Sequence, residues 1–471
     1  MKILFRSDQK RGENLPNLGV GYLIAYLNKY YPGLTMDVSF DREDILEKIS
    51  SFKPDLVGFT AVTFTYKKVF EWARTVKEHY PSVPLIMGGV HITLCWEALP
   101  DWIDAAVLGE GEQTFAELVK SYQNSGQIKK EDIPGVVFKK NGNLVNTGRR
   151  ELINPLDSIP HPDLDALSVP KKELSHIITS RGCPYRCKFC CSAKIWKNPR
   201  YHSAEYVVEE IEKAARHYGR KKLMIYDDLF TIHKGRIRLI AQIMEEKGLS
   251  KNIEFDIISH VDFMNEEVIE DLKRMGVTRI SLGMESGSKK ILDYLKNGAV
   301  THDKIRHAVK LCKERGIGAM GSFMIGSPYE TEEDIKQTIN FIKEIGLDEL
   351  GLNVTTPFPG TELWEYAREK GLVKDNEWDE RLWGMHHIDE GNIKEKIILA
   401  DMDKETFFRL YRQTHDLLLS IVRKKELRNW LRQPYNLRLL WLHIRGRIKA
   451  FKKGIKVKLK MSRSFGHFPL T

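Results

Sequence analysis

Residues 181–196 read RGCPYRCKFCCSAKIW and place four of the chain's six cysteines within nine positions. Cys183, Cys187 and Cys190 have the spacing C-x3-C-x2-C, while Cys191 follows Cys190 directly, so its side chain is expected to point elsewhere. A tetrahedral zinc site needs a fourth ligand at a suitable distance. Three thiolates on one tight loop suit a 4Fe-4S cluster instead, which leaves one iron uncapped for a small ligand. Zinc and plain buried thiols stand as the alternatives. Cys95 and Cys312 are separate from this loop and read as structural residues.

The loop follows the first of six apolar runs, LSHIITSRG, KLMIYDDLF, FDIISHV, RISLGMES, GAMGSFMIG and LGLNVTTPF, each trailed by an amphipathic helical segment. Six strand–helix units predict a partial (β/α)6 barrel with its chemistry on the loops after the strands. Residues 1–125 alternate in the same way, through KILF, DLVGFTAV, LIMGGV and AAVLG with helical stretches between them. That pattern predicts a doubly wound parallel sheet whose ligand lies beyond the carboxyl ends of its strands. The loops there are TAVT (60–63), GGVHIT (88–93) and GEGE (109–112). Glycine at such ends lets backbone approach a ligand, although ordinary strand-to-helix turns carry it too.

A chain of 471 residues exceeds one hydrophobic core, and 42% hydrophobic content without a run of about 18 apolar residues predicts soluble domains. The expected order is an α/β domain over 1–130, a linker with a hairpin at Asn141-Gly142 over 131–168, the barrel over 169–375 and a helical region over 376–471. The start MKILFRSDQK turns charged before a signal-peptide core forms, so a cytoplasmic protein with reduced thiols is expected. The net charge of +10 resides in the tail, where residues 421–471 hold 15 Lys and Arg against Glu426 alone.

The motif Cys183-x3-Cys187-Lys188-Phe189-Cys190 resembles the signature of the radical S-adenosylmethionine enzymes, in which an aromatic residue precedes the third cysteine. YDDLFT, LGMESGS, FMIGSPYETEED and TTPFPGTELW follow in the order of similar segments in the cobalamin-dependent branch. PNLGVGYLIAYL, DLVGFTAVT, GGVHIT and GEGE resemble that branch's cobalamin-binding domain, and the likeness spans roughly residues 1–375. It implies an enzyme with a 4Fe-4S cluster held by Cys183, Cys187 and Cys190, S-adenosylmethionine and cobalamin. A cluster electron, from a donor such as flavodoxin or ferredoxin, would split S-adenosylmethionine into a hydrogen-abstracting radical, and methylcobalamin would hand a methyl group to the substrate.

By the same resemblance, Phe189, Glu285, Ser286 and Gly326 meet S-adenosylmethionine. Leu18, Gly19, Thr60, Thr63, Gly88, Gly89, His91, Gly109, Glu110 and Gly111 are the expected cobalamin contacts. For Glu285 the other reading is a helix-start residue complementing the dipole. For His91 it is a loop-bonded histidine. The loop SDQKRGENLP lacks the histidine of the Asp-x-His-x-x-Gly motif, so no cobalt ligand is expected from it, and Tyr226-Asp227-Asp228 stands where many radical enzymes carry Gly-Gly-Glu. No catalytic residue is assigned.

The expected reaction is methylation of an unactivated carbon of an apolar or secondary-metabolite substrate. An anaerobic oxidative ring cyclase of the magnesium-protoporphyrin ester type shares the layout. A radical methylthiotransferase acting on RNA would hold a second cluster on three N-terminal cysteines, and only Cys95 lies there. A cobalamin sensor has no use for the cysteine loop. The stretch from Leu427 mixes Trp430, Trp441 and leucines with arginines and lysines, which suits peripheral attachment to an anionic membrane. Packing on the barrel and RNA binding compete with that reading, and no nucleic-acid partner is expected.

Overall fold

The computed structural model describes residues 1–10, 16–169, 176–196, 198–219, 221–373 and 392–432. Strands β1 (Lys2–Lys10), β2 (Thr35–Asp41), β3 (Leu56–Thr60), β4 (Leu85–Gly88), β5 (Ala105–Val107), β6 (Val136–Lys140) and β7 (Asn143–Asn146) form the first sheet. Their order is β2-β1-β3-β4-β5-β6-β7, parallel through β5. Continuous apolar runs such as LVGFT and LIMG suit strands buried on both faces, and helices cover both faces here. The hairpin β6–β7 adds antiparallel to β5 and so extends this sheet. An order of 2-1-3-4-5 reverses between β1 and β3, which opens a crevice at the strand ends carrying Thr60 and Gly88.

Two short strands, β8 (His176–Ile177) and β9 (Ser180–Arg181), lead into the cysteine loop, and β10 (Arg200–Tyr201) returns antiparallel to β9 with Arg200 opposite Arg181. Then come β11 (Lys222–Ile225), β12 (Glu254–Ser259), β13 (Val277–Glu285), β14 (Gly318–Ile325) and β15 (Glu349–Val354). With β8 these make a six-stranded parallel sheet in the order β15-β14-β13-β12-β11-β8. The six predicted strands are those observed, and they form an open barrel. Its helices are defined by local signals, among them the capping box of Thr331 and Asp334 before Glu332–Ile345 and the left-handed Gly346 after it.

The helix Lys404–Arg432 closes one side of the barrel. Phe407, Leu410 and Tyr411 pack with Ile325 and Val354, and Leu417, Leu418 and Ile421 pack against the main core. The predicted membrane-binding stretch continues into 433–471, which lie outside the described residues. Among the described residues no helix is long and apolar enough to cross a membrane.

Candidate functional site

The cysteine loop is held from both ends. Asp227, 1% exposed, accepts from the backbone of Thr179 (2.6 Å) and Ser180 (3.1 Å) and from both their hydroxyls at 2.6 Å. Asp228 accepts from Gly182 N at 3.0 Å. Gly182 has φ +98°, and a Cβ on it would lie 2.9 Å from Trp196 Cβ, so the turn before Cys183 requires glycine. On the far side Lys188 N donates to Leu295 O at 3.0 Å and Asn297 Nδ2 to Arg186 O at 2.6 Å. The adjacent carboxylates of YDDLFT thus anchor the loop's entry.

Burial pushes the Cys183 and Cys191 thiols up to about 11 and raises Cys187 and Cys190 as well, while Lys296 pulls the last two the other way. Ligation would therefore release protons. Among the described residues no three His, Cys, Asp or Glu side chains converge on a single ion. A cubane spreads its thiolates over separate irons, and a donor set of three sulfurs on one loop fits it.

Between this loop and the first sheet lies a cavity of about 550 Å³. One wall is the glycine-rich rim of Gly19, Thr60, Gly88, Gly89, Gly109, Glu110 and Gly111. The opposite wall holds Cys190, Cys191, Trp196, Tyr226 and Asp228. A deeper apolar end is formed by Phe5, Gly58, Ile86, Val107 and Phe115. A Cβ on Gly88 would meet nothing nearer than 3.8 Å, so its bare backbone is an open cradle for a bulky ligand. Gly89 differs: at φ +102° its Cβ would lie 2.5 Å from Ala61 O, so the loop itself needs glycine there. The open rim and the apolar recess fit a corrin with a flat aromatic appendage.

Three expected cobalamin contacts do not line this cavity. Leu18 is core, 3% exposed. His91, 3% exposed, stacks on Tyr66 with ring centroids 4.0 Å apart and lies 3.4 Å from Thr63 Oγ1. Burial lowers its pKa to about 4, so it is a neutral ring packed within the domain. Glu110 does reach the rim, but its carboxylate is occupied. It accepts from Arg181 Nη1 at 2.6 Å, Arg200 Nη2 at 2.9 Å, Arg200 Nη1 at 3.0 Å and Ile153 N at 2.7 Å. Burial pushes its pKa up, yet Arg200 and Arg181 outweigh this and hold it below the ordinary value.

Of the expected S-adenosylmethionine residues, Glu285, Ser286 and Gly326 lie at the barrel's strand ends and Phe189 on the cysteine loop, all outside the cavity lining. Glu285 ends β13 at φ +56° and pairs with the buried Lys296, whose Nζ is also 5.7 Å from the Phe189 ring centre. Ser286, fully buried, shares a hydroxyl hydrogen bond with Thr338 and accepts from Ser288 N. At Gly326 (φ +86°) the close approach is made by Phe407, 3.0 Å from where a Cβ would stand. Sequence reasoning missed Tyr22, Trp196 and the Arg181–Glu110 pairing. The available signal was Arg181 standing directly before Gly182-Cys183.

A cobalamin-type crevice facing a three-cysteine barrel loop defines a two-cofactor radical enzyme class. Residues 177–342 match the radical SAM superfamily and residues 9–119 the B12 binding domain. An uncharacterized methyltransferase of Pyrococcus horikoshii is 36% identical over 381 residues, covering 78% of this chain and 82% of that protein. The anaerobic magnesium-protoporphyrin IX monomethyl ester cyclase of Rubrivivax gelatinosus is 29% identical over 77% of this chain and 68% of its own. In fold the chain is similar to the radical S-adenosylmethionine methyltransferase TsrM of Kitasatospora setae, with a TM-score of 0.66 at 19% identity over 78% of this chain and 74% of that one. The chain belongs to the cobalamin-binding radical S-adenosylmethionine enzymes of the methyltransferase type, whose cofactors are S-adenosylmethionine, a 4Fe-4S cluster and cobalamin.

Proposed function

We propose that this enzyme methylates an unactivated carbon of a small molecule with an apolar surface. The observation that carries the reading is that the glycine rim and the cysteine loop open onto one cavity. Bound there, the cofactors supply a radical that breaks a carbon–hydrogen bond and a methyl group to replace the hydrogen. Cys183, Cys187 and Cys190 would hold the cluster, and the backbone at Gly88 and Gly109 would seat the corrin. Leu23, Val90, Ile195 and Trp196 give the shared space apolar walls that keep water from the reacting carbon. Asp228 lines it together with Glu110 and Glu112, whereas Glu285 and Ser286 do not. The electron would come from a small external donor of the flavodoxin or ferredoxin kind.

Oxidative ring closure is the second reading, favoured by the 29% identity to the Rubrivivax gelatinosus cyclase. Anaerobically reconstituted enzyme, a chemical reductant and S-adenosylmethionine carrying a trideuterated methyl group, added to extract from cells lacking the protein, separate the two. A product heavier by the labelled methyl supports methyl transfer. A product that has lost hydrogen and gained no label supports ring closure.

The basic tail supports a further proposal, peripheral attachment to anionic membrane. Full-length protein should sediment with anionic vesicles, and a chain ending at Ser420 should not. Equal sedimentation would remove the proposal.

A further inference from the structure

We infer that the ion network of Glu110, Glu112, Arg181 and Arg200 sets the spacing between the two cofactor loops, making these four positioning residues for the reaction. The inference rests on the reading that both cofactors share the cavity. Glu110 stands between Gly109 and Gly111 on the rim, and Arg181 directly precedes Gly182-Cys183. The charges are therefore attached to the loops themselves.

Arg181 spreads its guanidinium over two carboxylates, Nη1 to Glu110 and Nη2 to Glu112, each at 2.6 Å. Arg200, opposite Arg181 in the β9–β10 ladder, reaches both oxygens of Glu110 and also donates to Ile153 O at 2.5 Å. The four side chains are between 3% and 13% exposed. Arg181 lies 5.5 Å from the Tyr22 ring centre and Arg200 5.7 Å from that of Trp196, both cavity-lining residues.

Adhesion alone does not explain this construction. A buried ion network is a weak source of stability, and well-packed apolar side chains would join two lobes as well or better. A planar fork on two oxygens, however, fixes distance and angle together. Transfer between two separately held groups needs that control, because a misplacement of about 1 Å can cost on the order of 100-fold in rate. Two glutamates against two arginines also leave the network itself without net charge.

Arg200 does not itself line the cavity, so Arg200→Gln tests the network without replacing a lining side chain. The readout is the magnetic interaction between the reduced cluster and cob(II)alamin in electron paramagnetic resonance spectra of the frozen holoenzyme. Wild type should show the interaction. The variant should hold wild-type iron and cobalt yet show it weakened and spread over a range of distances. An unchanged interaction at full cofactor content would overturn the inference. Should Arg200→Gln fail to fold, Arg200→Lys, which keeps the charge and loses the fork, is expected to give the same weakening. Loss of either cofactor from Arg200→Lys would assign the network to folding instead and overturn the inference equally. Wild type without bound cobalt or iron would sink the shared-cavity reading, a separate outcome.

Discussion

Lys296 Nζ lies 3.1 Å from Glu285 Oε1, with the two side chains 6% and 7% exposed. Burial alone would lower the amine's pKa, but the Glu285 charge and the nearby thiols hold it above its ordinary value. A Cβ on Gly283 would stand 2.5 Å from that same carboxylate oxygen, so the strand leaves room for the pair. Lys296→Met strands a buried carboxylate and should destabilise the cofactor-free protein by about 3 to 5 kcal/mol. Adding Glu285→Gln should restore most of it, as read from urea unfolding midpoints. A double variant no more stable than Lys296→Met would refute the pairing argument.

The cysteines divide by role. Anaerobically purified wild type should carry about four irons per chain. Cys183→Ala, Cys187→Ala and Cys190→Ala should each lose them, while Cys191→Ala should keep them, although Cys191 lines the cavity. Iron analysis and the visible absorption of the cluster decide this, and loss of iron in Cys191→Ala would overturn the ligand assignment.

The cysteine loop and the glycine rim were legible because their chemistry is local. Three thiols in eight positions and glycines at the ends of apolar runs are signals that a short window contains. Glu110 and Arg181 are 71 positions apart, and nothing near either names the other. Glu110 was therefore expected, by resemblance, as a cofactor contact, and its ion pairs were not legible. His91 and Thr63 lie off the cavity lining, and for His91 the reason is related. Val90–Leu94 is a helix of five residues, too short for periodicity to say which side faces Tyr66 and which the cavity. Gly326 was expected to meet S-adenosylmethionine, and the side chain that approaches it comes from the helix Lys404–Arg432, far along the chain.

Gly88 and Gly89 are neighbours with different duties. Gly88→Leu should fold, because its Cβ enters open space, and should lose cobalamin by filling the cradle. Gly89→Ala should damage folding first, because its Cβ would collide with Ala61 O at a backbone angle that favours glycine. Cobalt content after reconstitution with hydroxocobalamin, set beside the thermal midpoint of the cofactor-free chain, reads the two apart. Full cobalt in a folded Gly88→Leu protein would remove Gly88 from the cobalamin site.

Glu210 gives the fold a pH dependence of its own. It lies on the helix Ala204–Tyr218, 4% exposed, and its Oε2 has no hydrogen-bond partner among the described residues. Burial, with Asp227 adding repulsion, pushes its pKa from 4.5 to about 8. The folded state thus holds this proton more tightly than the unfolded chain does. Its contribution to stability is full below about pH 4.5 and is lost as pH rises through about 8, by a few kcal/mol at about 1.4 kcal/mol per unit. Glu210→Gln removes the titration. The variant's stability relative to wild type should therefore rise between pH 5 and pH 8.5, reaching its largest advantage at the alkaline end. Other buried carboxylates such as Glu330, raised to about 8 by its own burial, titrate in both proteins and cancel from the difference. Urea unfolding of both proteins across this range measures it, and a difference that stays flat with pH would show that Glu210 is ionised in the folded protein.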